Sequence, residues 1–151
     1  MNRRYMLRSE DTEQMNVIDW CRWRISTYPE LKWLHHCPNG GSRNKQEAVK
    51  LKAMGVLAGV PDLHLPVPKG KYIGLYIEMK YADGRLQDSQ KEFLKAAAGF
   101  GHFCAVCYGA EEATAVIEEY LKLKPIDTGE GENRMHIENC SILKEGKVKR
   151  L

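Results

Sequence analysis

The clearest patterning lies near the middle of the chain. Ile73, Leu75, Ile77 and Met79 share one parity, and Tyr72, Tyr76, Glu78 and Lys80 share the other. Period-two alternation predicts a strand with the first set on a core face and Glu78 and Lys80 together on the opposite face. An earlier run, Gly59-Val60-Pro61-Asp62-Leu63, leads into the turn-rich Pro66-Val67-Pro68-Lys69-Gly70-Lys71. The whole reads as a hairpin with a loose loop. Antiparallel pairing about Gly70 would set Asp62 opposite Glu78, whereas a bulge would shift that register.

Spacings of three and four predict the helices around this hairpin. Ser9 caps a helix from Glu10 to about Thr27, with Gln14, Val17, Ile18, Cys21 and Ile25 on its buried face. Tyr28-Pro29-Glu30 ends it, and Leu31 to His36 follows as a short strand with Trp33 as core anchor. After the Pro38-Asn39-Gly40-Gly41 turn, Ser42 caps a helix over about 43–54, with Ala48, Leu51 and Met54 inward. A third helix is expected from about Ser89 to Ala98, with Ser89 or Asp88 as cap. A strand from His102 to Tyr108 and a helix from Glu111 to about Lys124 complete the pattern. Helix, mixed sheet and β-α crossovers together give an α/β sandwich.

Pro125 marks a boundary between residues 1–125, read as one domain, and a 126–151 extension of open role. That extension starts polar, holds a candidate strand from Met135 to Leu143 and ends in Lys144, Lys147, Lys149 and Arg150.

Composition narrows the class without naming the chemistry. Among 151 residues, 43% hydrophobic and 28% charged is the balance of a globular chain. No apolar run approaches the roughly 20 residues that span a bilayer, so no membrane role is expected. The basic start, Met1 to Tyr5, lacks the apolar segment of a secretory signal. A net charge of +3 permits nucleic-acid binding and does not require it. Five cysteines, an odd number, fit reduced thiols in a cytoplasm. Cys104 and Cys107 have the CxxC spacing, but in a strand they face opposite ways and cannot share a metal.

Asp62 and Glu78 are the residues that change the picture. Carboxylates about 5 Å apart repel at neutral pH unless a cation lies between them. Hard oxygen donors suit Mg²⁺, with Mn²⁺ as substitute. Lys80, beside them, can hold a water and favour its deprotonation. The plain alternative is a hairpin with a solvated Glu and Lys. Arg43, Lys45, Lys50 and Lys52 decorate the second helix, either as a solvated face or as phosphate contacts. His35 and His36 are adjacent, point to opposite faces, and read as structural residues.

Gly59-Val60-Pro61-Asp62-Leu63 followed by Ile77-Glu78-Met79-Lys80, with Gln90 ten residues past the lysine, resembles the PD-(D/E)xK nuclease superfamily. The Gly-Val-Pro-Asp form resembles the virus-type replication-repair nuclease (VRR-NUC) domain, over roughly residues 8 to 123. The resemblance implies a restriction-endonuclease-like three-layer α/β/α sandwich with a mixed central sheet. It maps the family's helix glutamate and following glutamine onto Glu10 and Gln14, with Glu13 as the fallback, and its helix glutamine onto Gln90. It implies a catalytic set of Glu10, Asp62, Glu78, Lys80 and Gln90. Metal ligands would be Glu10, Asp62, Glu78 and the Met79 carbonyl. DNA contacts would come from Asn39, Arg43, Lys45, Lys50 and Lys52.

The implied activity is Mg²⁺-dependent, structure-selective cleavage of branched DNA such as four-way junctions. A homodimer without organic cofactor, in the cytoplasm of a bacterium or phage-infected host, is the implied setting. Asp62→Ala or Lys80→Ala is then expected to abolish cleavage and leave the fold largely intact. Two other readings stand beside it: a non-catalytic DNA-binding or assembly module, and a restriction-type enzyme reading a defined sequence.

Overall fold

A computed structural model describes residues 7–38 and 44–124, together with the backbone of 141–144 and 147–150. The chain opens with α1 (Glu10–Arg24), then a 3-10 turn (Pro29–Trp33), β1 (His35–His36) and α2 (Lys45–Ala53). β2 (Leu63–Leu65), β3 (Leu75–Lys80), α3 (Asp88–Gly99), β4 (Phe103–Tyr108) and α4 (Ala110–Lys122) follow. β5 (Ser141–Lys144) and β6 (Lys147–Arg150) pair as a separate antiparallel ribbon, two strands where the sequence pattern gives one.

The main sheet runs β1-β2-β3-β4. β1 to β3 are antiparallel neighbours, and β4 joins β3 in parallel, which makes the sheet mixed. A parallel pair needs a crossover, and α3 supplies it. Leu63, Leu65, Leu75, Ile77, Met79 and Cys107 carry one buried face, against which Val17 and Cys21 of α1 and Ala113, Ile117 and Leu121 of α4 pack. The opposite parity holds His64 and Tyr76, and Phe93 of α3 meets the Tyr76 ring edge-on at 5.3 Å between centroids. Helices on both faces give the three-layer α/β/α sandwich.

The hairpin register is the one that pairing about Gly70 predicts: Leu63 faces Ile77, His64 faces Tyr76 and Leu65 faces Leu75. Ile73 falls outside β3 and is half exposed. Ser9 caps α1 as expected, its side chain taking the Thr12 N–H while Thr12 takes the Ser9 N–H. The buried face of α1 is shifted, however. Glu13, Val17 and Cys21 are buried, while Gln14 is only half buried and Ile25, past the helix end, is exposed.

Two expectations fail. The Leu31–His36 strand shrinks to two residues because Pro29 starts a 3-10 turn, and Leu31 rather than Trp33 fills the core; Trp33 is 59% exposed. The second helix starts at Lys45 with Asn44 as its cap, taking the Glu47 N–H at 2.8 Å. It buries none of its residues, and Met54, expected inward, is 71% exposed. Ser42, the expected cap, lies outside the described residues.

Candidate functional site: an acidic metal centre

β2 and β3 bring the site together. Glu78 is 1% exposed although it lies on the polar parity of β3, because α3 covers that face. Asp62, one residue before β2, continues the register so that it stands across from Glu78. Its Oδ2 takes the Met79 N–H at 2.8 Å. One residue's N–H and C=O point to the same side of a strand, so the Met79 carbonyl faces the Asp62 edge as well. The Asp62 carbonyl is occupied by Cys37 N–H and by His36 Nδ1, each at 2.8 Å. Glu10, in the first turn of α1, completes the group: ligand oxygens of Glu10, Asp62 and Glu78 lie within 4.8 Å of one another.

The two oxygens of Glu78 have different surroundings. Oε1 accepts from Lys80 Nζ at 2.7 Å and from Gln90 Nε2 at 2.5 Å. Oε2 is buried with no hydrogen-bond partner among the described residues. A buried oxygen left unpaired is costly, and a cation removes the cost. Burial above all pushes the Glu78 carboxyl up to about 7; Asp62 and Glu10 add to this and the Lys80 hydrogen bond opposes it. Burial also works against the Lys80 ammonium, but the Glu78 hydrogen bond and the charges of Glu78, Glu10 and Asp62 hold its pKa above the usual lysine value. Lys80 Nζ lies 3.6 Å from Glu10 Oε1 as well, so the ammonium is shared between two acids. The donor set is all oxygen and one donor is orphaned, which fits a hard divalent cation.

Gln90 is fixed at both ends. Its Oε1 takes the Gln87 N–H at 2.9 Å while its Nε2 holds Glu78. Gly59 explains how α3 approaches so closely. It sits buried at φ +86, and a Cβ there would overlap the Ser89 carbonyl and lie 2.9 Å from Gln90 N.

The structure thus gathers Glu10, Asp62, Glu78, Lys80 and Gln90 in one place. Glu13, the fallback, lies outside the acidic cluster, buried against Arg8 and the start of α4. Lys45, Lys50 and Lys52 are exposed on α2. Asn39 and Arg43 lie outside the described residues. His36, read from the sequence as structural, does hold the Asp62 carbonyl. With Glu10, Gln14, Pro38 and Asp62 it lines a cleft of about 410 Å³ beside the acids. Only the β1–β2 pairing reveals this, since adjacent histidines in sequence give no indication of which one faces a cleft. Cys104 and Cys107 are free thiols on opposite faces of β4, as expected.

Among the described residues no helix is long and apolar enough to cross a membrane. No curated protein matches the chain. A solved structure described as a VRR_NUC domain protein is 32% identical, with a TM-score of 0.69 over 81% of this chain and 95% of that one. The family model for the VRR-NUC domain matches residues 8–111, which hold the acids, the lysine and Gln90. The chain belongs to the VRR-NUC domain family.

Proposed function

We propose that the protein is a divalent-metal-dependent DNA endonuclease that hydrolyses phosphodiester bonds at branched structures such as four-way junctions. The family is of nuclease type. The observation that carries the reading is the convergence of Glu10, Asp62 and Glu78 within 4.8 Å, beside a buried, ion-paired Lys80.

Hydrolysis needs charge relief on the phosphate and a water that attacks near neutral pH, and a bound Mg²⁺ or Mn²⁺ supplies both. Asp62, Glu78 and Glu10, with the Met79 carbonyl, would hold it. Asp62 is kept in place by the Met79 N–H, and Glu78 by Lys80 and Gln90, so the orphaned Oε2 is the oxygen presented. Lys80 Nζ donates to Glu78 Oε1 at 2.7 Å and lies 3.6 Å from Glu10 Oε1. From there its amino group would hold and orient the attacking water or a phosphate oxygen. Gln90 keeps Glu78 aligned without adding charge. Lys45, Lys50 and Lys52 on α2 would contact the DNA backbone, where ammonium groups release counterions. A homodimer presenting two such sites would suit a four-way junction.

Possession of a complete set of acids, lysine and glutamine favours an enzyme over a silent binding module. The test is a cleavage assay on junction and linear duplexes of arbitrary sequence, with Mg²⁺ or Mn²⁺ titrated. Metal-dependent cutting of junctions, abolished in Asp62→Asn, is expected. Cutting insensitive to chelator, or retained in Asp62→Asn, would contradict the reading.

A further inference from the structure

We propose that Glu13 is a positioning residue, a buried carboxylate clamp that sets where Glu10 stands relative to Lys80. The functional consequence rests on the nuclease reading above. Glu13 is 3% exposed, and both its oxygens are held: Oε1 by Arg8 Nε at 2.9 Å, Oε2 by the Ala110 N–H at 2.8 Å. The residue before, Gly109, gives its N–H to the Lys80 carbonyl at 2.9 Å. Two successive amides at the start of α4 thus grip, side by side, the strand residue that bears the ammonium and the helix that bears Glu10. Glu10 precedes Glu13 by one turn of the same helix, so the grip on Glu13 sets the backbone from which Glu10 projects. Arg8 adds a second tie, its guanidinium lying 5.2 Å from the ring centroid of Tyr81, the residue after Lys80.

Gly109 makes the grip possible. It sits at φ +100, and a Cβ there would lie 3.3 Å from Glu13 Oε2. Packing alone does not call for a carboxylate at this point, because Val17, Cys21, Ala113 and Ile117 already join α1 to α4. The hydrogen bonds of Arg8 and Ala110 hold the Glu13 carboxyl below the ordinary range, so it stays charged at the helix N-terminus, where charge is favoured.

Mn²⁺ binding to the full chain, measured by calorimetry, tests the clamp in Glu13→Ala, Glu13→Gln, Glu10→Ala and the double variant Glu10→Ala/Glu13→Ala. Glu13→Ala is expected to weaken binding about tenfold, the usual effect of losing a group that holds a ligand. Glu13→Gln, whose amide oxygen still accepts from Ala110, should recover most of it. The double variant should bind as Glu10→Ala alone does, because the clamp acts through Glu10. Unchanged Mn²⁺ affinity in Glu13→Ala, or losses that simply add, would overturn the proposal. If the wild type takes up no Mn²⁺, the nuclease reading fails on its own, and amide exchange decides the clamp. The Glu13, Gly109 and Ala110 amides should then exchange at least about tenfold faster in Glu13→Ala while Ile77 is unchanged, and equal rates would overturn it. Where Glu13→Ala does not fold, Arg8→Ala makes the same comparisons, with losses expected in the same direction and no change counting against the clamp.

Discussion

Asp62 Oδ2 accepts the main-chain N–H of Met79, so the acid from one strand is bonded to the backbone of the strand that carries the other acid and the lysine. The two halves of the motif are therefore fixed to each other by a hydrogen bond from the Met79 backbone to the Asp62 side chain. Register decides the chemistry here, because a slip of one residue would turn Glu78 into the apolar core.

Lys80 supports both function and fold. The sequence alone suggests that Lys80→Ala spares the fold, but Lys80 and Glu78 are both buried and 2.7 Å apart. Removing the ammonium leaves Glu78 buried without its cation. Lys80→Met should lose cleavage and also about 3 kcal/mol of stability at pH 8. Its stability deficit should shrink toward pH 6 as Glu78 takes a proton instead. Thermal melts at the two pH values check this; a deficit independent of pH would contradict it.

Metal affinity should follow the protonation of Glu78. Its carboxyl, near 4.5 in an unfolded chain, is pushed up to about 7. A raised carboxyl binds more protons folded than unfolded. Metal-free stability from this group is thus full below about 4.5 and is lost as pH rises to about 7. Metal and proton compete for the same carboxylate, so Mn²⁺ affinity should rise up to about tenfold per pH unit below 7 and level off above it. Calorimetric titrations between pH 5.5 and 8.5 measure the slope, and a flat profile would contradict the assignment. Stability melts alone would mislead. His64, whose pKa burial pulls down to about 4, works in the opposite direction, adding stability as pH rises over nearly the same window.

Gly59→Ala should act at a distance. The new methyl group meets the Ser89 backbone, and φ +86 is strained for alanine. The start of α3 must move, taking Gln90 off Glu78. A loss of about 2 kcal/mol in stability and about tenfold in metal affinity is expected, measured by denaturant unfolding and Mn²⁺ titration. A silent substitution would show that the close approach does not matter to the site.

These residues also show where sequence reading works. The Asp62–Glu78 pairing was legible because strand periodicity is two, and pairing about Gly70 sets Leu63 and Leu65 against Ile77 and Leu75 on one buried face. The loop tip itself pairs Lys69 with Tyr72, one residue out of that register. The Ser9 cap was legible because capping is local. Trp33 and Met54 were misplaced because size and helical spacing say only that a face is apolar, not that anything covers it. The Glu13 clamp was hidden for a related reason. Its partner Ala110 is 97 residues away, and an acid in a first helical turn looks like an ordinary dipole partner until the tertiary contact is seen.

The most direct measurement is anomalous scattering from a crystal soaked in Mn²⁺. A peak is expected about 2.1 Å from carboxylate oxygens of Asp62 and Glu78, with Glu78 Oε2 among the ligands and Glu10 alongside. A soaked crystal with no peak there, or with the ion held elsewhere while junction DNA is still cut, would contradict it.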